Sequence, residues 1–506
     1  MTQLGRLTGS GALPGALGVS SHGARGDLRR PTELLKVLLF ALIVMTISRI
    51  HQHYGFLAAL RPGLVLVVAI TGLAVLQRKY LAGAPGMRTW QARMLAGMAA
   101  VACLSAPLGI SLGASFHMIT EAYWKVLFTA ALLLGALHSV VDLWFFVWAV
   151  VVGCGILTWL ALFVFKVTAT YGSDLMRLQA MYTYDGNDLC VVLLVGLPFA
   201  LLAFQVARNR TARVGALAVM LGIGAALAKS GSRGGFLGTV AVGVTLLFVM
   251  SGVSVVRRVA FLGVVALALV QAAPPGYWNQ MRTLLKPSQD YNWSAPDGRR
   301  ELWKRGFSYM FAYPVFGVGI GNFGRAEGTI SLKARRAPVG QGIRWTAPHN
   351  TFVQVGAELG ITGLVLYSSL VFGGIVAMFR LRRRIPPEWR TGSPQERFLY
   401  LAPPYFATAM VGFAVSGAFV SHAFMDHFYI LVCMMAALSG LVRAEGLALS
   451  ARRPGASARG GRASRDPGPR AVAGPLAPAL AFAPLTPETP PPAADRPGGT
   501  PGGGAR

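Results

Sequence analysis

Acidic residues are scarce in this chain: 19 Asp and Glu stand among 506 residues, and all charged residues together make up 13%. A soluble domain carries about 25%. The shortfall excludes a soluble globular enzyme, a charge-rich disordered chain and a coiled coil. Cysteine is sparse too. Cys103, Cys154, Cys190 and Cys433 each lie in an apolar run and form no C-x-x-C pair. They read as small core side chains rather than as disulfides or zinc ligands. Metal-binding patterns are missing as well. No two aspartates are spaced D-x-D, and no histidines are spaced as in H-E-x-x-H. His51 lies near His53, and His422 near Asp426 and His427, but no acidic or cysteine set completes the first pair. Metal-dependent catalysis is therefore disfavoured, and no metal or cofactor is expected. The first apolar run is not followed by a small-residue cleavage site, so it reads as a retained span.

What is abundant is apolar sequence: 54% of residues are hydrophobic and mean hydropathy is +0.53. A bilayer core of about 30 Å needs about 20 apolar residues per helix. Twelve stretches qualify, at 34–50, 56–76, 94–113, 119–137, 143–165, 188–207, 213–229, 234–251, 258–273, 350–379, 398–420 and 424–442. The third, seventh and ninth are short or rich in Gly and Ala. The expected fold is all-α, a polytopic integral membrane protein of about 12 transmembrane helices. One long extracytoplasmic loop, 274–348, joins helices 9 and 10. Residues 1–30 and 443–506 read as disordered arms flanking a membrane domain at 31–442. The C-terminal arm holds 12 of the 30 prolines, among runs of Gly, Ala and Arg.

Basic residues outnumber acidic ones 47 to 19, a formal net charge of +28. They lie between apolar stretches and in the tail, so they read as topology signals and anionic-lipid contacts, not as a nucleic-acid surface. Clusters flank the first span and follow the second, sixth, eighth and tenth. With twelve spans, these fall on one side and both termini are cytoplasmic. The loop 274–348 is an exception, with eleven Lys and Arg against Asp290, Asp297, Glu301 and Glu327. A cationic extracytoplasmic surface suits an anionic lipid-linked ligand.

Four segments on that side could carry chemistry. In KSGSRGG, 229–235, Ser and Gly break a helix and Arg233 opens the next one, a candidate anion site. In DGRRELWKRGFSYMFAYPVFGVGIGNF, 297–323, Asp297 is expected to cap a helix. That helix carries Arg299, Arg300, Lys304 and Arg305, with Trp303, Phe307, Met310 and Phe311 on one apolar stripe facing the membrane. GVGIGN lacks the strand and spacing of a dinucleotide loop and reads as a glycine turn near a substrate. In APHNTFVQVGAELGITG, 347–363, His349 and Asn350 open the tenth span; a histidine among cations can serve a hydroxyl as base or hydrogen-bond partner. Before the sixth span, Arg177, Tyr182, Tyr184, Asp185 and Asn187 bring a further arginine to the same side.

SGSRGG, GRRELW…YPVFGVGIGNF and HNTFVQVGAELGITG, in this order and topology, resemble the O-antigen ligase and O-antigen polymerase superfamily. RLQAMYTYDGND resembles its arginine-containing loop, and His-Asn, nine residues, then Gly-x-x-Gly resembles its histidine motif. The likeness is motif-strong from about 177 to 363. It implies a metal-independent, multispanning glycosyltransferase of the bacterial inner membrane. Such an enzyme moves a glycan from undecaprenyl diphosphate to a periplasmic acceptor hydroxyl, in lipid A–core or another glycan. In that reading Arg177, Arg233, Arg299 and Arg305 hold the diphosphate, His349 serves the acceptor hydroxyl, and Asn350 orients His349. A repeat-unit polymerase and a protein O-oligosaccharyltransferase stay open within the superfamily. A transporter or flippase is disfavoured because no internal repeat is visible.

Overall fold

The computed structural model describes residues 33–169, 176–178, 184–250, 253–286, 288, 290–295, 297–338 and 345–452. Met1–Arg452 form one unit and Arg453–Arg506 a second. The expected arm 1–30 and most of the expected tail lie outside the described residues, as does Tyr182.

Each of the twelve apolar stretches coincides with a helix. In chain order these are α1 (Leu34–Ser48), α2 (Pro62–Leu76), α3 (Trp90–Leu108), α4 (Leu112–Ala136), α5 (Val140–Val164), α6 (Gly186–Val206), α7 (Arg210–Ser230), α8 (Arg233–Val249) and α9 (Val255–Ala272). After the long connection, which carries α10 (Arg299–Ala312), come α11 (Thr351–Arg384), α12 (Pro394–Gly417) and α13 (Asp426–Arg452). Eight of them, α3 to α7 and α11 to α13, are long and apolar enough to cross a membrane. The helices α1, α2 and α8 are apolar but shorter. A two-stranded antiparallel hairpin, β1 (Val167–Ala169) with β2 (Met176–Leu178), precedes α6.

Local sequence sets the helix starts. Ser139 with Asp142, Asp185 with Asp188 and Ser393 with Glu396 form capping boxes, each satisfying two otherwise orphaned backbone N–H groups. The interior is built on α6, α12 and α13, the most buried helices. Lipid offers no hydrophobic drive for helices to associate, so they approach through small residues. A Cβ on Gly238 of α8 would sit 2.5 Å from Leu194 of α6. Lys36 of α1 pairs with Asp142 of α5 at 2.8 Å, both side chains 4% exposed. A charge at that depth requires such a partner.

Several expectations need correction. The connection 274–348 is not a plain loop: besides α10 it folds into short helices at Tyr277–Arg282, Tyr291–Ser294, Phe323–Thr329 and Leu332–Arg336. Asp297 does not cap α10. Gly298 occupies that position and the Asp297 carboxylate pairs with Lys333 instead. The apolar stripe is split, because Met310 is buried while Phe307 and Phe311 are 45% and 68% exposed. The C-terminal helix passes the expected boundary at 443 and runs to Arg452. All four cysteines are free, but Cys103 is exposed rather than part of the core.

Candidate active site

One end of the bundle collects the starts of α6, α8, α10, α11 and α13. The chain reverses at Ser230–Ser232: Gly231 takes φ 63°, which favours glycine, and Ser232 Oγ caps α8 through Gly235 N–H. Ser232 Oγ also donates to Asn187 Oδ1 at 2.7 Å, joining the start of α8 to the start of α6. Arg233 is thereby the first residue of α8, as its motif predicts. Its guanidinium is engaged, 2.6 Å from Asp290 Oδ2 and donating to Thr283 Oγ1 at 2.8 Å.

Arg177 is held on β2 opposite Thr168. Its guanidinium packs against the first turn of α6: a Cβ on Gly186 would lie 3.0 Å from it. Arg299 opens α10 with its guanidinium 5.9 Å from the Phe419 ring centroid. Burial, then the charge of Arg233, hold Arg299 below its ordinary pKa; Asp290 and Asp185 oppose this, and Arg177 adds to it. Arg177, Arg233 and Arg299 therefore share one electrostatic neighbourhood, although 122 residues separate the first from the last.

Arg305 is not among them. Its Nε donates to both oxygens of Glu327, at 3.0 and 2.9 Å, and Tyr309 Oη donates to the same carboxylate at 2.7 Å. Glu327 is 3% exposed, so this arginine neutralises a buried acid. Burial works against the charge of Arg305, but Glu327 outweighs it and raises the pKa, opposite to Arg299.

His349 is exposed, next to Pro348 whose carbonyl accepts Trp303 Nε1–H of α10 at 3.0 Å, and takes φ 48°, an uncommon backbone for a non-glycine residue. Asn350 caps α11: its Oδ1 accepts Phe352 N–H and Val353 N–H at 2.9 and 3.1 Å. It thus fixes where the chain carrying His349 enters the helix. The α12–α13 connection is pinned to the same helix end. His349 N–H donates to Ser421 Oγ at 3.0 Å, His422 N–H to Thr351 Oγ1 at 3.1 Å, and Thr351 Oγ1 to Val420 O at 2.9 Å.

Those bonds bring in the histidine pair noted in the sequence, together with a partner for it that the sequence did not show. His422 Nε2 lies 2.9 Å from Asp188 Oδ1 and its Nδ1 lies 3.1 Å from His427 Nε2. Both histidines are buried, and Asp188 is within electrostatic range of His349. With Asp188 ionised, His422 Nε2 carries a proton, leaving the Nδ1–Nε2 pair to share another. Arg49, after α1, closes the row by pairing with Asp426 at 3.1 Å. Ionisable side chains at the edge of apolar spans were the available signal. Among the described residues no group of three or more His, Cys, Asp or Glu could hold a metal ion.

The glycine turn has a different task. Gly317, Gly319 and Gly321 all take positive φ. The turn hydrogen-bonds to α11, with Val318 N–H donating to Ala357 O and Gly319 N–H to Glu358 O. The buried Glu358 carboxylate accepts Gly321 N–H at 2.8 Å and Phe323 N–H at 3.2 Å. At Gly360, φ 69°, the helix breaks, and a Cβ there would sit 2.6 Å from Pro314 O. The YPVFGVGIGNF and GAELG segments are thus two halves of one clamp that fixes α10 against α11.

Residues 215–368 match the family model described as O-antigen ligase, Wzy_C. That segment belongs to the O-antigen ligase and polymerase superfamily. It contains Arg233, Arg299, Arg305, His349 and Asn350, but not Arg177, Asp188 or His422. The family's members are glycosyltransferase-like membrane enzymes that work with a lipid-linked glycan and a glycan acceptor. No curated protein matches the chain.

Proposed function

We propose that this protein is an O-antigen ligase-type glycosyltransferase of the bacterial inner membrane. It moves a glycan from undecaprenyl diphosphate to an acceptor hydroxyl on the periplasmic side, with both termini in the cytoplasm. The observation that carries this reading is the gathering of Arg177, Arg233 and Arg299 at the end of an apolar helical bundle where His349 precedes α11. A prenyl diphosphate leaves readily once its charge is neutralised. The arginines supply that neutralisation with fork-shaped donors in a partly dry site. Arg299 gains most, because an anion relieves the repulsion that its neighbours impose. Asp290 occupies Arg233, so the diphosphate replaces that carboxylate on binding. His349 then orients or deprotonates the acceptor hydroxyl, and the Asp188–His422–His427 row steadies the charge that develops beside it. No step requires a metal.

The test is gene deletion followed by analysis of the surface glycan. Full-length polymer accumulating on the lipid carrier supports ligation. Single repeats attached to the acceptor, with long chains lost, would identify a repeat-unit polymerase. Transfer by the purified protein from a lipid-linked glycan should persist in EDTA.

A further inference from the structure

A second cationic site lies at the other end of α6, and the transfer reaction makes no use of it. A cavity of about 800 Å³ opens there, its body formed by Leu201 and Phe204 of α6, Leu217 and Met220 of α7, and Met250 after α8. Three exposed arginines border it: Arg257 at the start of α9, Arg390 in the turn before α12, and Arg397 in the first turn of α12. Among the described residues none of the three pairs with a carboxylate. The neighbouring Arg258 behaves otherwise, donating from Nε to Val253 O and from Nη1 to Leu247 O, where it secures the end of α8. Glu396 accepts Ser393 N–H within the capping box of α12. A fourth cation, Arg213, sits 5.1 Å from the Phe204 ring centroid.

From Asp185 to Gln205 a helix rises about 30 Å, the thickness of a bilayer's hydrocarbon core. With the Arg177–Arg233–Arg299 cluster at one membrane surface, this cavity opens at the headgroup level of the other. We propose that it binds one acidic glycerophospholipid, the phosphodiester between the three guanidiniums and an acyl chain in the apolar body. Charge complementarity selects the headgroup: three guanidinium forks suit a phosphate and repel the amine of a zwitterionic lipid. The apolar body selects a lipid over a soluble phosphate. The chain's own tail has the wrong sign for this rim, since residues 453–506 hold seven arginines against three acidic residues.

The test uses the full-length protein in nanodiscs of equal phosphatidylglycerol and phosphatidylethanolamine, extracted into mild detergent, with retained lipid measured by mass spectrometry. The wild type should retain phosphatidylglycerol over phosphatidylethanolamine by roughly tenfold or more, from about fivefold per arginine before screening. The combined Arg257→Gln, Arg390→Gln, Arg397→Gln variant should show no preference. Leu217→Trp, which fills the body and keeps the rim, should lower retention of both lipids. Each single arginine substitution, at an exposed side chain, should reduce the preference two- to fivefold, which keeps the test decisive should the triple variant aggregate. An undiminished preference in the three single variants overturns the proposal, and so does displacement of the lipid by millimolar glycerol 3-phosphate.

Discussion

Arg299 and Arg305 stand six residues apart on one helix, about 240° around its axis, and their surroundings are opposite. Arg305 faces the buried Glu327 and is neutralised by it. Arg299 lies within electrostatic range of Arg233 and Arg177, and burial with their charge holds its pKa below the ordinary value although Asp290 and Asp185 oppose this. The sequence shows the same residue type in the same cationic run at both places. What separates a structural cation from one proposed to bind the donor is the partner across the gap, and that partner is set by the fold.

The histidine at the same end of the bundle should give the largest effect. His349→Ala is expected to lower the transfer rate by roughly 10²–10⁴ while leaving donor binding close to wild type. Purified protein and a lipid-linked glycan separate the two quantities. A near wild-type rate would remove His349 from the mechanism and leave the arginine cluster without a catalytic partner.

The two arginines should fail differently. Arg299→Ala is expected to weaken donor binding by roughly 10- to 100-fold, the worth of a charge-assisted hydrogen bond. Thermal stability should be unchanged or raised, since the substitution relieves repulsion. Arg299→Lys should recover part of the binding, because lysine keeps the charge but lacks the fork. Arg305→Ala is expected to cost about 3–5 kcal/mol of stability by stranding Glu327, and Glu327→Gln in the same chain should restore much of it. Thermal unfolding in detergent reads both. If Arg305→Ala unfolds like wild type and loses only donor binding, the contrast between the two residues is wrong.

This contrast also marks how far the sequence could be read. The position of Arg233 at a helix start was legible because Ser and Gly around it break a helix, and that of His349 because it precedes an apolar run with a polar cap. The twelve apolar stretches were legible for the same local reason. The pairing of Arg305 with Glu327 was not legible, because Glu327 lies beyond the glycine turn and the pair depends on how α10 packs. The cap that Asn350 forms on α11 was not separable in the sequence from an orienting role, because the two have the same signature. The pairing of Asp188 with His422 went unread because 234 residues separate them. The glycine turn was placed near a substrate, when its residues close around Glu358 and the break at Gly360.

A smaller effect is expected where the binding arginines already have a competitor. Asp290 holds Arg233 at 2.6 Å in a partly exposed pair, and such pairs are worth about 0–1 kcal/mol. Asp290→Asn removes the competing charge and keeps the shape. Donor binding should tighten by roughly two- to fivefold, with less change at high salt because the pair is already screened there. Weaker binding would mean that Asp290 positions Arg233 rather than competing for it.

The smallest effect is expected from the largest deletion. If cations matter by place and not by number, removing those outside the membrane domain should leave transfer unchanged. Truncation after Arg452 deletes seven arginines, more than twice the number in the cluster, together with three acidic residues. It spares all of α13, in which Leu441 and Val442 are the last buried side chains among the described residues. Pro and Gly throughout the removed segment leave it no apolar periodicity with which to build a site. Transfer and membrane level of the truncated chain should match the full-length protein within about twofold in paired assays, the range of ordinary surface changes. Loss of transfer at normal membrane level would show that distant positive charge contributes to donor capture, and the distinction drawn between Arg299 and Arg305 would then account for only part of the binding.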